Sequence, residues 1–315
     1  CLRAQPRRPD LGKPRLSVDR VFTVAGFGTV VTGTLLEGSL SVGDEVEILP
    51  VGYRARIRGL HTHGTPLEMA APGARVAINM TGVGKDELHR GAVVARPGSL
   101  QATRRVDVSF RLLSGEHNSI PLRHNEQVKL FVGSAEEMAR VRGLSARRLR
   151  PGETGWLQLE LSRPVAVLKG DRFILRRPSP GVTMGGGAIV DAHPRRRHRL
   201  QDTAVLQRLQ IMARGSADEI LLQALDVGGV PSLREALAAS GLDDEQAREA
   251  LASLSAAGEL LALGEAALKL TPRSNVLVLS RGRYALLLQQ LRGLLAAHHC
   301  AHPLRAGMPR EELKS

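Results

Sequence analysis

Through the first two thirds of the chain, apolar and polar residues alternate over short runs broken by glycine and proline. Val21, Phe22 and Val24, then Val30, Val31, Leu35 and Leu36, flank Gly26-Phe27-Gly28, so residues 18–43 are expected to form a hairpin reversing at 26–28. A second reversal is expected at Glu37-Gly38-Ser39, followed by an alternating strand over 42–48. Further turns at Pro50-Val51-Gly52, Gly64-Thr65-Pro66, Ala71-Pro72-Gly73 and Pro97-Gly98-Ser99 give the spacing of a β-barrel or sandwich over 14–98. The same alternation returns in Val106, Val108, Phe110 and Leu112, in 127–132, in 156–161 and in 173–175, which predicts a second β domain over 102–193.

The period then changes. After a basic linker at 194–202, apolar residues recur at helical spacing in 217–225, 233–239 and 245–255. Ser232 and Asp243 are placed as N-caps, with Glu235 and Gln246 three residues on completing capping boxes. Residues 259–263 and 267–270 are expected to pair as a ribbon, so 203–272 is predicted to be a winged helix. A second, truncated one is expected to start over 273–315, with a helix from about Leu286 to His299 and another just begun at Pro309-Arg310-Glu311. The fold class expected is therefore mainly β followed by α. Residues 1–13 read as an Arg/Pro-rich linker. Because Cys1 replaces an initiator Met and the last residues stop inside a helical pattern, the chain is expected to be an internal piece of a longer protein.

Charge narrows the partners. A net charge of +13 and a pI near 10.9, carried mostly by arginine, point to a polyanion, with an arginine-rich surface lacking a partner as the plain alternative. Aromatic residues are only 3% of the chain, which disfavours stacking of single-stranded bases and favours backbone readout. The densest basic run, Arg195, Arg196, Arg197 and Arg199, either contacts RNA phosphates or is a solvated linker. The acidic residues Asp243, Asp244, Glu245 and Glu249 argue against phosphate contact by the second helix of the helix-turn-helix pair. No apolar run approaches the roughly 20 residues of a membrane span and no signal peptide is evident. Two cysteines, Cys1 and Cys300, cannot form a disulfide scaffold, so a cytoplasmic location is expected.

Catalytic constellations are not found. The sequence has no G-x-x-x-x-G-K-[ST] loop and no N-K-x-D. Gly26-Phe27-Gly28 lacks the third glycine of a dinucleotide fingerprint, and Asp226-Val227-Gly228-Gly229 matches the D-x-x-G pattern by chance, between helices. His298, His299, Cys300 and His302 are too close in sequence to reach one tetrahedral metal together, His193 and His198 have no better claim to one, and the strand pair His61 and His63 reads as plain surface residues. No catalytic residue, metal or cofactor is expected in this chain.

Three blocks carry a resemblance. Asp19-Arg20-Val21-Phe22-Thr23 with Gly28 to Gly33 and Gly38 to Gly43, then Ala74 to Asn79, then Gly170 to Arg176 with Ser179-Pro180 and Thr183-Met184-Gly185-Gly186-Gly187, resemble in order the β-barrels of EF-Tu-like translational GTPases. The wording is closest to the SelB family of selenocysteine-specific elongation factors. The resemblance implies two tandem barrels following a GTPase domain that would hold GTP and Mg, then winged helices in series. It implies a monomeric protein that carries selenocysteinyl-tRNA to the ribosome at recoded UGA codons, with a hairpin in the mRNA read by later winged helices. It places Asp19, Arg20 and Arg75 in the selenocysteinyl pocket, where two guanidiniums would separate an anionic selenolate from the neutral serine precursor. Arg142, Arg147 and Arg148, with Arg150 nearby, would face the tRNA. The alternatives are a general EF-Tu-like tRNA- and ribosome-binding factor, and a winged-helix DNA-binding regulator with a β-barrel domain.

Overall fold

The computed structural model describes residues 13–24, 28–115, 120–226, 229–263, 271–272, 274–305, 307–309 and 313. The chain divides into two compact units, Cys1–Leu209 and Gln210–Ser315. The first linker, the tip of the first hairpin, residues 267–270 and Arg310-Glu311 lie outside the described residues, apart from Lys13 and Gly28.

The first unit holds two barrels. In the first, the strands are β1 (Arg15–Val24), β2 (Gly28–Glu37), β3 (Leu40–Ser41), β4 (Glu45–Leu49), β5 (Tyr53–Thr62), β6 (Thr65–Leu67), β7 (Met69–Ala70), β8 (Arg75–Thr81) and β9 (Val93–Ala95). Among the described residues, six of them run β4-β9-β1-β2-β8-β5 and the ring closes by pairing β5 with β4; β6 extends from β5, and β3 pairs with β7. Inward residues such as Leu16, Val18, Val31, Leu35, Ile48, Ile57 and Ile78 fill the interior, as a period of two requires.

The second barrel comprises β10 (Ala102–Leu112), β11 (Leu122–Arg123), β12 (Gln127–Val132), β13 (Ala135–Gly143), β14 (Arg148–Leu149), β15 (Thr154–Ala166), β16 (Arg172–Arg176) and β17 (Thr183–Asp191). Its ring runs β10-β15-β13-β12-β16-β17 and returns to β10. Phe110 and Phe173 stack inside it with centroids 6.2 Å apart. The Thr-Met-Gly-Gly-Gly block is the closing strand: a Cβ at Gly185 or Gly187 would fall onto the carbonyl oxygens of Arg111 and Ser109 in β10. Gly187→Ala is therefore expected to force β17 away from β10 and cost roughly 1–3 kcal/mol, as overpacking does. Thermal unfolding followed by circular dichroism checks this, and an unchanged midpoint would refute the need for glycine there.

The barrels meet along a seam of Leu49, Val93, Ala95, Leu100 and Ala166, with Leu168 beside it. Across it, the buried Arg15 of β1 forks onto Asp171, with Nη1 donating to Oδ2 at 2.5 Å and Nη2 to Oδ1 at 2.7 Å.

Helices follow: α1 (Thr203–Arg214), α2 (Ala217–Asp226), α3 (Leu233–Ser240) and α4 (Asp244–Ala256). The capping boxes expected at Ser232/Glu235 and Asp243/Gln246 are present. Leu221, Leu225, Leu233, Ala250, Leu251 and Leu254 pack together with Leu260 of β18 (Leu260–Ala262) and Val278 of β19 (Val278–Ser280). The strand that pairs with β18 is β19, beyond the expected boundary at residue 272. Only three residues long, it shows no period to read, and its apolar pair Val278 and Leu279 is buried. The division between units falls inside α1 instead of before it, since Arg208 of its first half is tied to the second barrel. Helix α5 (Arg281–Ala301) begins five residues before the expected start. No helix among the described residues is long and apolar enough to cross a membrane.

Candidate functional sites

The first site is built by a β-bulge. Val18 pairs with Gly33 and Arg20 with Thr32, which leaves Asp19 as the extra residue of β1. In an uninterrupted strand Leu16, Val18 and Arg20 would share a face. The bulge shifts the phase by one, so Leu16 and Val18 point into the core, Val21 packs against it, and Arg20 stays outside. Gly33 permits this, because a Cβ there would fall on the carbonyl oxygen of Ser17.

Arg20, Thr32, Ala77 and His61 then stand in one row across β1, β2, β8 and β5. Arg75 and Thr34 pair in the next row. Asp19 joins the rows: Thr32 Oγ1 donates to its Oδ1 at 2.8 Å, and Arg75 donates from Nη1 to Oδ2 at 2.6 Å and from Nη2 to Oδ1 at 3.1 Å. This is a bidentate fork. With the Arg75 side chain 51% exposed, such a pair contributes about 0–1 kcal/mol, so its effect is to aim the guanidinium. Arg20 is exposed and, among the described residues, has no ion-pair partner. The structure thus brings Asp19 and Arg75 together and sets Arg20 one residue away with its guanidinium unpaired. His61 is exposed at the far end of the row, and His63 sits in a left-handed turn.

The second site lies on the outer face of β10, β15 and β13. Arg105, Glu160, Arg140 and Gln127 form one cross-strand row; Asp107, Gln158 and Arg142 form the next. The basic segment crosses these rows as a docked strap. Gln158 brackets its backbone, donating from Nε2 to the Arg196 carbonyl at 3.2 Å and accepting the His198 N–H on Oε1 at 3.3 Å. His198 Nε2 lies 2.8 Å from Asp107 Oδ2, and Arg197 and Arg142 both reach Glu160 Oε1, at 2.5 and 2.9 Å. Asp107 also accepts from Gln158 Nε2 at 2.8 Å and from Arg208 Nη2 at 3.4 Å, while Arg208 bonds Asp191 at 3.0 Å. The segment is thus docked through its backbone, Arg197 and His198, while Arg195, Arg196 and Arg199 stay exposed. Strand phase alone would put Asp107 outside, yet it is fully buried under the strap. Lys169 has its pKa lowered by burial, against an opposing pull from Asp191.

Of the arginines assigned to RNA, Arg142 and Arg197 have this internal partner. Arg147, Arg148, Arg195, Arg196 and Arg199 are exposed and, among the described residues, have no carboxylate partner. Sequence reasoning missed Asp107, Gln158 and Arg208; only the run of arginines signalled that something acidic would meet it. At the end of α5, His298 lies 5.8 Å from His299 and 5.0 Å from His302, centroid to centroid.

Residues 28–95 match the Elongation factor Tu domain 2 family, which covers β2 to β9. Residues 107–196 match the selenocysteine-specific elongation factor β-barrel domain, from the buried Asp107 to Arg196 of the strap. Over 228 residues, 72% of the chain, it is 41% identical to the selenocysteine-specific elongation factor of Desulfomicrobium baculatum. The chain belongs to the selenocysteine-specific elongation factor family. It spans 35% of the length of that relative. It is also similar to elongation factor Tu 2 of Streptomyces avermitilis, 33% identical over 176 residues, which is 55% of the chain and 45% of that protein. Arg75 falls inside the segment that matches elongation factor Tu domain 2, whereas Asp19 and Arg20 precede it.

Proposed function

We propose that the chain is the tRNA-carrying part of a selenocysteine-specific elongation factor, with the aminoacyl end of the tRNA at the bulge site and RNA backbone along the arginine-rich face of the second barrel. The observation that carries this is Arg20, without an ion-pair partner among the described residues, beside the fork that joins Asp19 of β1 to Arg75 of β8 across β2. A selenol is more acidic than a thiol, whose pKa is about 8.5, so it is anionic near neutrality while serine is neutral. Arg20 meets the selenolate directly, and Asp19 holds Arg75 where it adds a second charge. Each charged hydrogen bond is worth roughly 1.5–3 kcal/mol, and a seryl group leaves those guanidiniums without it.

Helices α2 to α4 with the β18–β19 ribbon are read as a winged-helix module. The acidic first turn of α4, Asp244 and Glu245, suits a support more than a nucleic-acid reader. Delivery to the ribosome, GTP and Mg in a nucleotide domain, mRNA-hairpin recognition, a monomeric state and a cytoplasmic location complete the proposal.

The test compares selenocysteinyl-tRNA with seryl-tRNA binding over a salt series, for the chain and for Arg20→Ala, Arg75→Ala and the double variant. Arg20→Ala is expected to reduce the preference about tenfold or more, and the double variant to abolish it. Equal binding of the two tRNAs by the unaltered chain would overturn the pocket.

A further inference from the structure

Beside the strap, the second barrel holds a cavity of about 440 Å³ walled by His124, Arg142, Arg147, His198 and Arg199. Three separate segments supply these residues. His124 stands between β11 and β12, Arg142 and Arg147 come from β13 and the loop after it, and His198 and Arg199 belong to the strap. The His124 N–H donates to the Arg147 carbonyl at 2.8 Å, which fixes the two loops to one another. Among the described residues that line the cavity there is no carboxylate. The neighbouring groove by Arg105 and Arg140 differs in containing Glu160.

The histidines are the second observation. The His198 side chain is only 6% exposed and its Nε2 is committed to Asp107, yet its Nδ1 is buried with no hydrogen-bond partner. His124 Nδ1 is buried and unpartnered as well. Buried polar atoms are almost always satisfied, so two unpartnered imidazole nitrogens on residues of one wall set this cavity apart. Arg142 is neutralised by Glu160, whereas Arg147 and Arg199 have no carboxylate partner among the described residues. The surplus charge is positive and the donors are forked, which suits an oxyanion with several oxygens.

We propose that this cavity is a phosphate site made jointly by the barrel and the strap. It takes one phosphate group, for which Arg147 and Arg199 supply the charge and the forked donors, while the His124 and His198 rings form the wall beside it. Because His198 and Arg199 ride on the strap, a bound phosphate also holds the strap against the barrel. The inference deepens the RNA-facing reading above and rests on it only for the source of the phosphate, an internucleotide linkage. A free phosphomonoester presents the same oxygens.

The experiment titrates the whole chain at constant ionic strength with inorganic phosphate and with dimethyl phosphate, following the imidazole resonances of His124 and His198. Saturable shifts are expected with both probes. Arg147→Gln and Arg199→Gln are expected to weaken them about tenfold or more each, and Arg58→Gln, an exposed charge on the first barrel, to leave them unchanged. Response to dimethyl phosphate supports an RNA linkage as the source; response to inorganic phosphate alone supports the site with a terminal phosphate as its ligand. No saturable shift, or an equal loss with Arg58→Gln, overturns the site. If tRNA binding remains salt-dependent while neither probe binds, the RNA-facing reading survives and the cavity does not.

Discussion

Asp107→Ala is expected to destabilise the first unit by about 3–5 kcal/mol and to release the strap, because it removes one member of a buried, hydrogen-bonded charge cluster. Asp107 is fully buried and accepts from His198, Gln158 and Arg208. Without it, Gln158 Nε2 loses one of its two acceptors, and the Arg208 guanidinium keeps only Asp191. The strap then keeps only the two Gln158 bonds to its backbone, at 3.2 and 3.3 Å, and Arg197 on Glu160, whose arginine side chain is 62% exposed. Two readouts separate stability from docking. Urea unfolding should show a lower midpoint, and trypsin should cut between Arg195 and Arg199 faster than in the unaltered chain. A wild-type midpoint with wild-type proteolysis would show that the cluster does not hold the strap.

Arg15→Ala is expected to cost a similar amount, about 3–5 kcal/mol, at the seam between the barrels. The Arg15 side chain is 7% exposed, forked onto Asp171 and also bonded to Glu37 at 3.1 Å. Burial works against its charge, but the hydrogen bonds and charges of Asp171 and Glu37 outweigh it and raise the pKa. Truncation leaves Asp171, itself only 16% exposed, without its cation. Arg15→Lys should restore little, because an ammonium cannot reproduce the fork. Arg15→Met with Asp171→Leu should recover most of the loss, since a packed apolar pair replaces a buried ionic one at small cost. Equilibrium unfolding decides. Unfolding of Arg15→Ala at the wild-type midpoint would mean the pair contributes nothing.

Local rules were legible in the sequence, and contacts between distant segments were not. Alternation in Val106, Val108, Phe110 and Leu112 located β10, and Ser232/Glu235 and Asp243/Gln246 located two helix starts, because each depends on residues within a few positions. The bulge left a trace that could have been followed: inward Leu16 and Val18 give way to Val21, a spacing of three where two was due. Asp107 left none. Its burial depends on a segment some 90 residues on, and no periodicity in β10 reports what will later lie across it. The ribbon strand Val278–Ser280 was missed for the same reason, being too short to show a period and defined only by its partner Leu260–Ala262. At the first site, the residue types came from the resemblance. That Asp19 and Arg75 are paired while Arg20 is not required the bulge geometry.

The seam fixes a distance. The apolar contact and the Arg15 fork fasten the barrels at more than one point, so they cannot swivel freely about a single hinge, and the bulge on one and the strap on the other stay at a set separation. The pair acts as a caliper. Under the proposed function, a tRNA engaging both would itself have to supply that span between its aminoacyl end and its helical body, and length would join charge as a criterion of selection.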